Sequence, residues 1–163
     1  MRLAAYPPGK GDITNMIRSY IHRCQKDGVE IKLNHEVTAD FIKEENPDSV
    51  ILATGSRTLV LPIEGIDHPS IIYGSDLLEG KRAADKKVLV VGGRMVSCET
   101  ADGEHHEARG YDSVVLSMGY RNYNPLEEQV KAIVPDTYVI GDTIRARRAL
   151  DATKEAYDVA SQI

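Results

Sequence analysis

The stretch Thr137-Tyr-Val-Ile-Gly-Asp142 decides the fold that the sequence predicts. It is a short β-branched and aromatic run that ends on Gly-Asp and leads into an Ala-rich helical pattern. In open α/β sheets, ligands bind beyond the carboxyl ends of the parallel strands. Gly141 would let a ligand come close to the backbone, and the Asp142 carboxylate can accept hydrogen bonds from sugar hydroxyls. We therefore predict a ligand contact at this strand end.

Other apolar runs predict further strands. The run at 49–54 is apolar throughout, which predicts burial on both faces. The run at 87–92 is the most hydrophobic of the chain, and residues 111–119 repeat the Asp-Ser-apolar-Gly pattern of residues 48–55. The alternation at 29–33 is also typical of a strand. Together the runs predict an α/β domain with a mainly parallel sheet, built from strands near 29–33, 49–54, 87–92, 113–118 and 137–141.

Helical periodicity appears in three places, and a further short helix is predicted to begin near Ser75. Asp12 is a candidate N-cap of a first helix that Gly28 would end, with one face buried. A short helix is predicted from Asn124 to Ala132, and a closing helix from about Ala149 to Gln162. The apolar positions of the first helix are Ile13, Met16, Ile17, Tyr20, Ile21 and Cys24. The expected stripe of the closing helix consists of Leu150, Thr153, Ala156, Val159 and Ala160.

Composition limits the classes of function. A net charge of −5 over 163 residues, with no basic face, argues against a nucleic-acid partner. No apolar run approaches the roughly 20 residues that a membrane span needs, and we expect a cytoplasmic protein with no membrane association. Cys24 and Cys98 are isolated, and the adjacent His105 and His106 would point to opposite faces of a strand. We assign no metal site and no catalytic acid or base.

The strand at 87–92 opens like a dinucleotide-binding unit but does not continue as one. The fingerprint Gly-x-Gly-x-x-Gly from Gly92 would need glycines where the chain has Arg94 and Ser97. Only nineteen residues lie between Gly93 and Ser113, whereas a βαβ unit takes about thirty or more. Asp102-Gly103 is instead typical of a tight turn between two short strands, 98–101 and 104–108.

The motifs occur in an order that resembles a known family. They are Leu52-Ala-Thr-Gly55, Val91-Gly-Gly93 followed by Cys98-Glu-Thr-Ala101, Leu116-Ser-Met-Gly-Tyr120 and Tyr138-Val-Ile-Gly-Asp142. Nearly the whole chain resembles the C-terminal FAD/NAD(P)-binding region of NADH:flavin oxidoreductases, the old yellow enzyme-like group that includes dienoyl-CoA reductase and trimethylamine dehydrogenase. The resemblance implies a three-layer Rossmann-like FAD/NAD(P)-binding domain, incomplete relative to the family.

The resemblance also implies roles for residues. Asp142 would bind the ribityl chain or diphosphate of FAD, and Gly141 would clear the space for it. Thr54 and Gly55 would pass under the cofactor. The first turn of the closing helix, at Ala149 and Leu150, would point its N–H groups at the flavin or phosphate. Gly92 and Gly93 would belong to an NAD(P) site, which the residues at 94 and 97 speak against.

The resemblance implies that much of the family architecture lies outside this sequence. The barrel with FMN and an iron–sulfur cluster, and the first glycine fingerprint, would lie upstream of Met1. Most of the NAD(P) domain would be deleted near 101–103. We therefore expect residues 1–163 to form a single domain, with 57–86 a connector and 87–119 a remnant of the NAD(P) domain. We also hypothesise that the strand at Lys87 to Val91 fills the slot of the missing first FAD-domain strand.

Two functions remain open from the sequence. The chain is either the FAD- or ADP-binding portion of such an oxidoreductase, which relays electrons from NAD(P)H through flavin and is not catalytic alone, or a non-catalytic fold fragment. In the second case it would be an interaction domain that self-associates as a homodimer through exposed sheet edges. The arginines at 145, 147 and 148 could bind phosphate or form a solvated cationic cluster.

Overall fold

The computed structural model describes residues 2–92 and 110–163. The described chain forms two compact units, Met1–Ile21 with Thr58–Gly119, and His22–Arg57 with Tyr120–Ile163. In chain order the helices are α1 (Asp12–Lys26), α2 (Ala39–Glu45), α3 (Gly74–Leu78), α4 (Glu127–Lys131) and α5 (Ala149–Ala160). The strands are β1 (Val50–Leu52), β2 (Ser56–Thr58), β3 (Ile71–Tyr73), β4 (Val88–Gly92), β5 (Ser113–Ser117), β6 (Tyr120–Asn122) and β7 (Thr137–Val139), and 3-10 turns cover Arg2–Ala5 and Gly141–Thr143.

The first unit contains a three-stranded parallel sheet in the order β3-β5-β4. β5 is central, with β3 and β4 on its two edges, and supplies the buried side chains Val115 and Leu116. The buried Ser113 hydroxyl donates to Asp85 Oδ2 and accepts the Asp85 N–H, both at 3.0 Å. This exchange satisfies a polar group that burial would otherwise make costly.

The second unit is built on a parallel pair, β1 and β7, with Val50 opposite Thr137 and Leu52 opposite Val139. Its apolar core is formed by Ile42 of α2, Leu52 of β1, Val130 of α4 and Val134. α2 is well delimited, because the Thr38 hydroxyl accepts the Phe41 N–H at 3.2 Å and Asn46 ends the helix at φ 44°.

The predicted fold class is confirmed: the chain is mixed α/β with mainly parallel sheets and is consistent with a Rossmann-like segment. The expected strands at 49–54, 87–92, 113–118 and 137–141 correspond to β1, β4, β5 and β7. The arrangement of these strands in one sheet was wrong. β1 pairs with β7 in a sheet of their own, whereas β4 pairs with β5. The hypothesis that Lys87 to Val91 fills a slot in the main sheet is therefore wrong, since β5 is the partner of that strand.

Three expectations about burial and strands were also wrong. Residues 29–33 form no strand, and Val29, Ile31 and Leu33 are exposed, because no neighbouring strand satisfies their backbone groups. β1 is not buried on both faces, since Ile51 is 42% exposed. α1 has the expected bounds but no buried residue, and its apolar residues Met16, Tyr20 and Ile21 are exposed.

Several elements were not predicted. β2 lies at the start of the expected connector 57–86, and β3 lies within it. α2 lies between the expected strands 29–33 and 49–54, where no element was predicted. The predicted hairpin around Asp102-Gly103, the histidines at 105 and 106, and Cys98 lie outside the described residues. The assignment of 1–163 to a single domain stays a prediction.

Candidate functional site

Gly141 begins the turn that follows β7. Its φ of +65° is a left-handed conformation that glycine adopts readily. A Cβ atom at this position would lie 3.3 Å from the Cβ of Ala152 on α5, closer than an ordinary contact. The Gly141 N–H donates to Glu155 Oε2 at 2.7 Å. The turn therefore rests directly on α5, and a side chain at 141 would separate the two.

Asp142 follows within the same 3-10 turn and is half-buried. Its Oδ2 accepts a hydrogen bond from the Ser56 hydroxyl at 3.2 Å, and its Oδ1 accepts the Arg147 N–H at 3.1 Å. An ionised carboxylate offers about four lone-pair positions, so these two bonds fix its orientation and leave acceptor capacity. The carboxylate can therefore accept hydroxyl donors from a ligand, and its contact with a cofactor stays a prediction.

Thr54 and Gly55 lie at the carboxyl end of β1, beside the turn after β7. The Gly55 N–H donates to Thr143 Oγ1 at 2.8 Å. Thr54 Oγ1 donates to the Tyr123 carbonyl and lies 3.5 Å from Thr143 Oγ1. The Tyr123 N–H in turn donates to the Gly55 carbonyl at 2.9 Å. The two strand-end turns that the sequence singled out are thus joined to each other.

Ala149 and Leu150 form the exposed first turn of α5, and Leu150 is 75% exposed. The Arg148 N–H donates to Asp151 Oδ2 at 3.1 Å, which satisfies a backbone group at the helix start. The expected apolar stripe of this helix is partly wrong, because Leu150 and Thr153 are exposed while Ala152 faces Gly141.

Arg147 belongs to the connection between the Gly141–Thr143 turn and α5. Its guanidinium forms an ion pair with Glu155, and its backbone N–H donates to Asp142. For this arginine the structure gives a local partner. Arg145 and Arg148 are exposed, and the two interpretations of the cationic cluster remain predictions for them.

Glu155 is the most strongly engaged carboxylate of this region. The hydrogen bond from the Gly141 N–H, and next the Arg147 guanidinium, hold its pKa below the ordinary value of 4.5, while partial burial opposes the shift. The carboxylate is therefore ionised at neutral pH and can accept both hydrogen bonds.

A second polar cluster lies at the opposite, amino ends of β1 and β7. The Ser49 hydroxyl donates to Asp136 Oδ2, and the Val50 N–H donates to the Asp136 carbonyl at 3.0 Å. The hydrogen bond from Ser49, and next the one from Tyr138, lower the pKa of Asp136. The bond between Tyr138 and Asp136 also raises the pKa of Tyr138. These contacts hold the two strand starts together.

Gly92 belongs to the first unit, whereas the residues above belong to the second. Its φ is +124°, and a Cβ atom there would lie 2.2 Å from the Ser117 carbonyl oxygen on β5. The close approach of two strands thus accounts for this glycine. Gly93, Arg94 and Ser97 lie outside the described residues.

Sequence reasoning missed four residues that shape the site: Ser56, Tyr123, Thr143 and Glu155. Thr143 is fully buried, and its role depends on a backbone N–H 88 positions away. Glu155 lies three positions after Ala152 on one helix face, a spacing that offers a signal only once the facing turn is known. Among residues 2–92 and 110–163, no group of three or more His, Cys, Asp or Glu side chains is arranged to hold a metal ion.

Comparisons with known proteins identify the relatives of the chain. It is 30% identical to bilirubin reductase of Mediterraneibacter gnavus over 102 residues, which cover 63% of this chain and 16% of that protein. It is 35% identical to NADH oxidase of Thermoanaerobacter brockii over 106 residues, 62% of this chain and 16% of that protein. Cinnamate reductase of Clostridium sporogenes is 26% identical over 219 positions, covering 96% of this chain and 33% of that protein. No protein-family model matches the chain.

Solved structures agree with these relatives. A 2-naphthoyl-CoA reductase in complex with 2-naphthoyl-CoA superposes with a TM-score of 0.84 at 25% identity, over 99% of this chain and 34% of that chain. The chain is similar to part of an NADH:flavin oxidoreductase-like FAD/NAD-binding region. The flavin oxidoreductase-like resemblance predicted from the sequence is thereby confirmed. The amine oxidase HisD of Pseudomonas geniculata N1 shares the fold, with a TM-score of 0.79 at 16% identity.

The flavin oxidoreductase-like segment is shorter than its counterpart in cinnamate reductase. The alignment has 219 positions, whereas 96% of 163 residues is about 156, so about 63 positions have no counterpart in this chain. The segment spans at most about a third of the relatives described above, which are reductases and oxidases, so it is related to redox enzymes. In the part of the chain that the structure describes, no helix has the length and apolar character needed to cross a bilayer.

Proposed function

We propose that the chain is the FAD-binding portion of an NADH:flavin oxidoreductase-type enzyme that relays electrons from NAD(P)H through flavin. It would bind the dinucleotide, or its ADP half, at the carboxyl ends of β1 and β7. We propose further that this portion is not catalytic alone, because in the resembled family the substrate and nicotinamide sites are formed by other parts of the enzyme. The parent enzyme's substrate is not part of the proposal.

The observation that carries the proposal is the bond from the Gly55 N–H to Thr143 Oγ1, which brings the turns after β1 and β7 to one edge of a parallel pair. Gly55 leaves backbone surface there without a side chain, since no atom lies within 4 Å of where its Cβ would be, whereas Gly141 is buried against Ala152. Asp142 adds a carboxylate acceptor whose orientation is fixed by its bonds to Ser56 and Arg147. Such an edge is where open α/β sheets take their ligands.

The donor and acceptor groups fit an FAD molecule. Asp142 would accept from ribityl or ribose hydroxyls, and Thr54, Gly55, Ala149 and Leu150 are the further residues that we propose to contact the cofactor. When bound, FAD supplies two-electron chemistry by accepting a hydride equivalent and passing electrons on. The chain's own residues would bind and orient it.

The proposal does not include a nicotinamide site. The sequence assigned Gly92 and Gly93 to NAD(P), but Gly92 is required by its contact with the Ser117 carbonyl. A local packing reason therefore exists for this glycine without a ligand. FMN and an iron–sulfur cluster belong to the intact family architecture rather than to the chain described here.

A titration with FAD and with ADP tests the proposal. Flavin fluorescence and calorimetry would measure the dissociation constants, and a rise in melting temperature with ligand would report binding to the folded state. We expect saturable one-to-one binding of FAD and weaker binding of ADP. A chain that is folded by circular dichroism but binds neither ligand at millimolar concentration would refute the proposal.

A second candidate function is a self-associating interaction domain. Val29, Ile31 and Leu33 are 54%, 44% and 80% exposed, in an alternating pattern that would present one apolar face if the segment became a strand. A second copy of the chain could pair with this segment by strand addition. Analytical ultracentrifugation distinguishes the two functions: a cofactor-free dimer that Leu33→Lys converts to a monomer favours self-association, and a wild-type monomer excludes it.

A further inference from the structure

Glu155 lies on the face of α5 that meets the end of β7. It follows Ala152 by three positions, so both side chains project toward the same neighbour. Ala152 provides the close contact at Gly141, and Glu155 provides the acceptor for the Gly141 N–H at 2.7 Å. The glutamate side chain is 26% exposed, which protects its hydrogen bonds in part from water.

The Glu155 carboxylate reaches both ends of the connection between β7 and α5. One oxygen accepts the Gly141 N–H, and the other accepts the guanidinium of Arg147. Asp142 lies between these two points, and its Oδ1 accepts the backbone N–H of Arg147. Arg147 is therefore held twice, by Asp142 through its backbone and by Glu155 through its side chain.

Glu155 is thus linked to the Asp142 carboxylate through Gly141, which precedes Asp142, and through Arg147, whose N–H bonds to it. If the Glu155 bonds were removed, Gly141 would lose the partner that fixes its left-handed turn, and Arg147 would lose the partner that holds its side chain. Gly141, the neighbour of Asp142, and Arg147, which donates to it, thus share one carboxylate partner. The Ser56 hydroxyl would remain as the contact on Oδ2.

We propose that Glu155 is a positioning residue that holds Asp142 in the orientation needed to accept hydroxyl hydrogen bonds from a bound dinucleotide. The inference rests on the proposed function and deepens it. Glu155 does not contact the ligand itself and acts through Gly141 and Arg147. The Asp142 site is thus set by a residue thirteen positions further along the chain.

Two substitutions separate the parts of this role. Glu155→Ala removes both hydrogen bonds, whereas Glu155→Gln keeps an acceptor for Gly141 and loses the charge that faces Arg147. The matched control is Glu128→Gln, at an exposed position of α4. We expect Glu155→Ala to weaken FAD binding about tenfold, the size of one lost charge-assisted hydrogen bond, and Glu155→Gln to retain part of the affinity. The control should bind like the wild type.

Amide hydrogen exchange in the ligand-free protein provides a second readout. The N–H groups of Gly141 and Arg147 should exchange faster in Glu155→Ala, while those of the α2 helix should not change. Wild-type protein that binds neither FAD nor ADP would refute the proposed function. If the wild type binds FAD, and both Glu155 variants bind it with the same affinity and show the same exchange rates as the wild type, the positioning role alone is refuted.

Discussion

Thr143 accepts the backbone N–H of Gly55 through its hydroxyl at 2.8 Å, although the two residues are 88 positions apart. Thr143 is fully buried, so water cannot replace the bond if the hydroxyl is lost. Together with the bond from the Ser56 hydroxyl to Asp142, this side chain holds together the turns that follow β1 and β7. The geometry of the candidate site depends on this bond as much as on the residues proposed to contact a ligand.

Thr143→Val tests this dependence, because valine keeps the shape of threonine and removes the acceptor. We expect the free energy of unfolding to fall by about 1–3 kcal/mol, the cost of leaving a polar group without a partner. Thr143→Ser keeps the hydroxyl and should cost about 1 kcal/mol through the lost methyl group. Urea denaturation would measure both, and equal losses would contradict the importance of the hydroxyl.

Gly141→Ala should destabilise the second unit for two reasons. The left-handed φ costs a residue with a Cβ about 1–2 kcal/mol, and the added atom would lie 3.3 Å from Ala152. Gly28→Ala is the matched control in the same unit, with φ +76° and no atom within 4 Å of the added Cβ. Denaturation should show a larger loss of unfolding free energy for Gly141→Ala than for Gly28→Ala. When Ala152→Gly is the starting protein, adding Gly141→Ala should cost no more than Gly28→Ala does.

Gly92→Ala should lower the stability of the first unit by more than Gly141→Ala lowers that of the second. The added Cβ would lie 2.2 Å from a backbone oxygen, and neither β4 nor β5 can move away without breaking their ladder. Gly65→Ala, at φ +78° and without a close neighbour, is the control. In Gly92→Ala we expect that the first unit no longer unfolds cooperatively, and hydrogen exchange of its amide groups would measure this. A variant as stable as Gly65→Ala would show that the strands can separate here.

Asp142→Asn tests the proposed acceptor directly. The amide keeps one oxygen and adds donors, so the side chain loses its charge and half of its acceptor groups. We expect FAD affinity to fall by about tenfold or more, as for other charge-assisted hydrogen bonds. Asp158→Asn, on an exposed position of α5, is the control. Calorimetry would compare the two, and equal affinities would exclude Asp142 from the ligand contact.

The bonds of Glu155 should make the region around Gly141 sensitive to acid. Its pKa is lower in the folded chain than the ordinary value of 4.5, so its contribution is fully present above that pH and is lost as pH falls below it. The difference in unfolding free energy between wild type and Glu155→Gln should therefore shrink between pH 5 and pH 3. Asp136 and Glu127 also have lowered pKa values, but they are common to both proteins and cancel in the difference.

The elements predicted correctly are those whose local sequence pattern is sufficient to determine the type of secondary structure. β5 follows from Ser-Val-Val-Leu-Ser at 113–117, because β-branched residues in a run that ends at a glycine favour a buried strand. α1 follows from a clear period, and the family resemblance follows from motifs in a fixed order. The strand expected at 29–33 fails for the opposite reason. Alternation describes which face could be buried, but it does not supply the partner strand.

The residues of the site also divide into those that a local sequence pattern indicates and those that depend on distant parts of the chain. Gly141 and Asp142 carry a local signal, because a glycine and a carboxylate directly follow a predicted strand; the pair alone often marks only a turn, and the order of the neighbouring motifs adds the prediction of a ligand contact. Thr143 and Glu155 carry none, because each acts on a backbone N–H that any residue would offer at that place. Their roles depend on the packing of α5 and of the turn after β1, which distant parts of the chain determine.

The pairing of β1 with β7 also affects how the chain is made. Val50 and Thr137 lie opposite each other but are separated by 87 positions, as are Ser49 and Asp136. A ribosome that adds about 5–20 residues per second needs about 4–17 seconds to produce the second strand after the first. During that interval Leu52 has no strand to cover it, so nascent chains should be most exposed to chaperones and to misassociation at this stage of translation.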